Sequence, residues 1–201
     1  MPIIEIHQFP ASDAYITNQS AAKPVLDSVK GAEGLISLYY GLQEEDKETG
    51  YFVTVWESFQ AHKEFVLGPI NFGLTNKFAV LHAEGPQAQC RVRFNADTDA
   101  AFNAPITEFS FIKTRAGVSA EQRQEVIDNL LSALGTIPGI HAPAAFGETK
   151  ERPGVFVLTI GWESLENHAQ VAQSENAMAI IRKMDSVAET TVAHVKLTRH
   201  E

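Results

Sequence analysis

Cysteine is almost absent: the chain of 201 residues holds one, Cys90, which excludes an internal disulfide and any zinc site built on several thiolates. Such a chain suits a reducing compartment, and Cys90 reads as a packing residue under a helix, not a nucleophile. Cationic side chains are scarce too, 16 Lys and Arg against 25 Asp and Glu, for a formal charge of −9. A surface of that sign repels phosphate backbones and anionic headgroups, so neither nucleic acid nor a membrane is an expected partner. No apolar run is long enough to span a bilayer, and the start, Met1-Pro2-Ile3-Ile4-Glu5-Ile6-His7, lacks the basic stretch and apolar core of a signal peptide. A cytoplasmic location is expected. There is no glycine-rich phosphate loop, no dinucleotide fingerprint, no helical two-histidine spacing for zinc and no carboxylate loop for calcium. No metal and no cofactor are therefore expected. What is present is ordinary for a globular protein: 44% hydrophobic and 20% charged residues, sufficient for a core.

The organising signal is an internal repeat. Trp56-Glu57-Ser58 followed by His62 recurs 106 residues later as Trp162-Glu163-Ser164 followed by His168. Pro2-Ile3-Ile4-Glu5 recurs 103 residues later as Pro105-Ile106-Thr107-Glu108. The chain therefore divides into a first repeat over residues 1–95, a polar linker over 96–104 and a second repeat over 105–201. Each repeat reads as strand, helix, strand, strand, helix, strand. In the second, Ser119 and Gln122 form a capping box ahead of the stripe Val126, Ile127, Leu130, Leu131, Leu134, and Gly135 ends that helix. Ser58 and Ser164 are expected to cap long helices running to about His82 and Val187. The expected fold class is α+β: two ferredoxin-like (βαββαβ) repeats, each with both helices on one sheet face, closing against each other as an intramolecular dimeric α+β barrel. The sequence leaves open whether these pseudo-dimers pair further into a homodimer.

The tryptophan-glutamate-serine motif, the histidine after it and the strand order resemble the antibiotic-biosynthesis-monooxygenase-like (ABM) branch of the dimeric α+β barrel superfamily. The resemblance covers nearly the whole chain, once per half, and is closest to the fused tandem forms known from fungi. It implies a cavity that takes a small molecule, with the motif tryptophans, Trp56 and Trp162, facing into it. It does not choose among oxygenases, cyclases and non-catalytic members, because the superfamily hosts all of these.

Strand alternation suggests the remaining lining, on the assumption that the more apolar set lies under the helices and the mixed set faces the cavity. Glu5, His7 and Phe9 then face inward with Tyr39, Thr54 and Arg91, while Ile4, Ile6, Cys90 and Val92 go under the helices. In the second half Glu108, Ser110, His141 and His194 take the inward positions. Histidine titrates near neutrality, so His7 and His141 are the candidate catalytic bases, and Arg91 the cation that holds an anion. Glu5, Tyr39, Trp56, Glu108, Trp162 and His194 are the candidate substrate-binding residues. The bland alternatives are that Glu5 and Glu108 pair with Arg91, Arg93 or Lys196, and that His62 and His168, in the first turns of helices, merely touch the sheet.

These residues suit the deprotonation of a phenol or enol. The expected function is a cofactor-independent, monooxygenase-like reaction on a small hydrophobic, aromatic or polyketide-type secondary metabolite. A non-oxidative cyclase or lyase using the same base is one alternative, and a non-catalytic ligand-binding or stress-responsive barrel is another.

Overall fold

The computed structural model describes residues 2–201, with the backbone alone for residues 72, 75 and 76. The chain forms two compact units: residues 2–93 joined by the C-terminal segment Val195–Glu201, and Phe94–His194.

The first unit runs β1 (Ile3–Pro10), α1 (Asp13–Thr17), a 3-10 turn (Gln19–Ala22), α2 (Lys23–Val29), β2 (Leu35–Leu42), β3 (Thr49–Trp56), α3 (Phe59–Leu67), α4 (Pro69–Ala79) and β4 (Ala88–Val92). The second runs α5 (Asp99–Phe102), β5 (Ile106–Thr114), α6 (Ala120–Leu134), β6 (Ile140–Glu148), β7 (Val155–Trp162), α7 (Leu165–Ala172), α8 (Glu175–Val187) and β8 (Ala188–Val195). A final short strand, β9 (Thr198–Arg199), returns to the first unit. The sheet orders are β4-β1-β3-β2-β9 and β6-β7-β5-β8, so each unit has the ferredoxin-like α+β strand order. No helix among the described residues is long and apolar enough to cross a membrane.

Local chemistry explains most of the elements. The capping box at Ser119 and Gln122 forms and opens α6. Ser58 and Ser164 each accept a backbone N–H three residues on, from Ala61 and Asn167, at 3.1 Å in both cases. The long helices expected after these caps are each two helices. Gly68 is extended and Pro69 starts α4, since proline removes a helical donor but fits a first turn. Ser174 caps α8 afresh. The segment expected as a linker carries α5, whose Ala101 and Phe102 are buried.

On β1, β3, β4 and β5 the faces are the reverse of expectation, whereas Tyr39 on β2 and His141 on β6 lie on the side away from the helices, as expected. Under the helices of the first unit lie Phe9, Phe52 and Leu38, packed with Tyr15, Val25, Leu26 and Leu74; nearby Trp56 and Ile3 pack against Phe59 and Phe65. Glu5 and His7, in phase with Ile3 and Phe9, therefore face the helices. Cys90 and Val92, in register with Ile6 and Ile4, occupy the opposite face with them. In the second unit Ile106, Ile112, Leu158, Ile160 and Trp162 pack on Ile127 and Leu134 of α6 and Met184 of α8, so Glu108 and Ser110 also lie beneath helices. The physical reason is that both faces are buried: Ile4, Ile6, Val53 and Val92 on one side, Phe9, Phe52 and Trp56 on the other. Apolarity therefore does not distinguish them, and the polar set sits on the helix side because the helices bring polar partners to it.

Candidate functional site

In each unit the repeated motif builds the same piece of geometry. The tryptophan ends a strand on the helix-facing side, the serine caps the next helix, and the histidine falls on the fourth helical position, one turn in and turned back toward the sheet. A glycine before the neighbouring strand lets the helix come close. Gly34 at φ +76° and Gly139 at φ +84° would each, with a Cβ, meet the third helical residue, Ala61 at 2.5 Å and Asn167 at 2.4 Å. The ring centroids lie 5.3 Å apart for Trp56 and His62 and 4.8 Å for Trp162 and His168.

In the first unit the histidine serves a carboxylate. His62 Nε2 is 2.9 Å from Glu5 Oε1, the Gln89 amide donates to the same oxygen at 2.6 Å, and the indole of Trp56 donates to Thr54 Oγ1 at 2.8 Å. Arg91 is Glu5's cross-strand neighbour on β4, and its guanidinium lies 5.4 Å from the Phe59 ring centroid. Along the same strand face, His7 stands 5.4 Å from Phe9, 6.5 Å from Phe78 and 5.5 Å from His82, centroid to centroid. Gln87 bridges the two imidazoles, its Oε1 3.1 Å from His7 Nε2 and its Nε2 3.1 Å from His82 Nδ1. An amide oxygen only accepts, so in this arrangement His7 carries its proton on Nε2 and presents Nδ1 as the basic nitrogen. Burial pushes the His7 imidazole down, against the opposing pull of the Gln87 bond and the Glu5 charge. Burial, with the nearby His7, takes His82 to about 4. Both rings are neutral at pH 7.

In the second unit the carboxylate is Glu108, with 7% of its side chain exposed. Ser110 Oγ donates to Oε1 at 2.5 Å and Trp162 Nε1 to Oε2 at 2.8 Å. His168 Nε2 and His194 Nε2 approach Oε2 to 3.7 and 3.8 Å. Burial alone would raise the Glu108 pKa, but the nearby His194 imidazole, the bond from Ser110 and the charges of His168 and His194 outweigh it and hold the carboxyl below its usual range.

Of the residues singled out in the sequence, Glu5, His7, Trp56 and Arg91 share the helix-facing side of one sheet, and Glu108, Trp162 and His194 cluster in the other unit. Two stand apart. Tyr39 lies on the opposite face of β2, under the Arg199 guanidinium at 6.0 Å. His141 follows Ile140, which packs against the helix-side core, so its ring is on the far face of β6, where Nε2 meets the exposed Glu163 carboxylate at 3.1 Å. Gln87, Gln89 and His82 were missed, because nothing in their spacing marks them; His62 and His168 were visible in the repeat but not as partners of the glutamates.

No family model matches the chain, and no curated protein matches its sequence. Solved structures do resemble it. A provisionally named monooxygenase from Fusobacterium nucleatum superposes with a TM-score of 0.69 at 15% identity, over 100% of this chain and 94% of its own. A counterpart from Lactobacillus acidophilus gives 0.66 at 14%, over 98% and 93%, and an anthrone oxidase-like protein 0.71 at 13%, over 98% and 91%. At such identities the likeness is one of fold, and the chain has the ferredoxin-like α+β fold of these proteins along essentially its whole length.

Proposed function

We propose that the chain is a monooxygenase-like enzyme that deprotonates a small phenolic or enolisable molecule at the helix-facing side of the first sheet. The observation that carries this reading is that a neutral, partly buried His7 and Arg91, on the neighbouring strand, share one face of the sheet, with the rings of Phe9 and Phe78 beside His7. Nδ1 of His7 takes the proton; because burial disfavours the imidazolium, the base is in its active form at neutral pH. The Arg91 guanidinium stabilises the anion so formed, and Glu5, fixed by His62, Gln89 and the Thr54 hydroxyl, which donates to its Oε2 at 3.4 Å, keeps the local charge balanced. The electron-rich anion then reacts with molecular oxygen. The fold shared with proteins named as monooxygenases and as anthrone oxidase-like supports this class of reaction.

The test is incubation of the protein with anthrones, hydroquinones and β-diketones, followed by oxygen uptake under air and product formation under nitrogen. Turnover that requires oxygen is the expected result. Turnover that continues under nitrogen identifies a non-oxidative cyclase or lyase instead, and saturable binding without turnover a ligand carrier.

A further inference from the structure

The second unit carries a different set of side chains around its carboxylate. Where the strand beside β1 has Arg91, the strand beside β5 has His194, so Glu108 meets two imidazoles. The ligand atoms of Glu108, His168 and His194 all lie within 4.8 Å of one another. Nitrogen and carboxylate oxygen bind a first-row divalent ion at about 2.0–2.2 Å, so donors around one ion stand at most about 4.4 Å apart. The separations of 3.7 and 3.8 Å from Glu108 Oε2 satisfy that limit, and the two imidazoles, whose ligand atoms lie within 4.8 Å of each other, need only a small rotation of the more exposed His168 ring to meet it.

We infer that Glu108, His168 and His194 form a binding site for a first-row divalent transition-metal cation. Two imidazoles and one carboxylate are the donor set suited to Zn²⁺, Fe²⁺ or Co²⁺, and the lack of a thiolate or thioether in the set disfavours soft Cu⁺. The carboxylate is already oriented. Trp162 Nε1 and Ser110 Oγ hold its two oxygens, the outer-layer support that metal-binding carboxylates characteristically have. Three ligands from the protein leave coordination positions for water or an oxygen donor. The approach is from the His168 side, whose side chain is 26% exposed against 7% and 8% for Glu108 and His194. The arrangement did not show in the sequence because its members lie on β5, α7 and β8, far apart along the chain and without a motif spacing. The inference does not depend on the base assigned to the first unit.

The experiment is a Co²⁺ titration of the full chain after chelator treatment, followed by visible absorption, with Zn²⁺ as competitor. One ion per chain is expected. H168A, which alters the most exposed ligand, and H194A should each weaken binding by more than the ~10–100-fold that loss of an outer-layer partner costs, and W162F should fall within that range. H141A, on the far face of its strand, should leave the titration unchanged. The absence of saturable binding at one ion per chain, or binding that survives both H168A and H194A unaltered, overturns the site.

Discussion

Trp56 and Trp162 end corresponding strands, yet their indole nitrogens reach different partners. Trp56 donates to the neutral hydroxyl of Thr54, whereas Trp162 donates directly to the buried Glu108 carboxylate. Phenylalanine at either position removes the N–H and a comparable volume, so comparing the two variants isolates the hydrogen bond. W162F leaves a buried charge one donor short and should cost about 1–3 kcal/mol more than W56F in urea unfolding; equal losses would show that the bond to Glu108 contributes nothing. The imidazoles give a second residue-scale prediction. His82 is held at about 4 against 6.5 when unperturbed, and His7 is also shifted down. The unfolded chain therefore binds protons in this interval that the folded chain excludes, and the stability these groups contribute is complete above about pH 6.5 and falls as the pH drops toward about 4. H82Q should flatten the pH dependence of the urea midpoint across that window, and a slope equal to wild type would contradict the assignment.

At the scale of elements, what positions the two motif histidines is the joint between a strand end and a helix start. The cap serines set the angle, and Gly34 and Gly139 allow the approach. At Gly34 a Cβ would both sit in a left-handed conformation and strike Ala61, so G34A should destabilise by about 1–3 kcal/mol and loosen the His62–Glu5 contact, measured by thermal unfolding and by the histidine NMR resonances. An unchanged His62 environment would show that the joint does not hold the ring. These joints were legible in the sequence because they rest on local chemistry: Trp-Glu-Ser with a following histidine, the capping box at Ser119, glycine at Gly135. The breaks within the two longer helical stretches were not read, although Gly68-Pro69 and Ser174 are local signals too. Each sits in an apolar pattern that continues through it, and periodicity alone runs across such a break.

For the molecule as a whole, strand order and fold class followed from the pattern, while the direction of the functional face did not. Alternation placed Glu5, His7 and Arg91 on one side together, because period-2 spacing is rigid, and the family resemblance added Trp56 to the same side. Which side of the sheet they occupy depends on what covers each face, and here Ile4, Ile6, Val53 and Val92 are as buried as Phe9 and Phe52. That ambiguity also put Tyr39 and His141 with residues from which a sheet now separates them. On this reading the chemistry belongs to the helix-covered face, at His7, and not to His141. Once a substrate is in hand, steady-state turnover of H7A and H141A measured side by side tests it most directly. Loss of roughly 100-fold or more in H7A, the scale of a general base, with H141A close to wild type, is the predicted result; an active H7A beside an inactive H141A would contradict it.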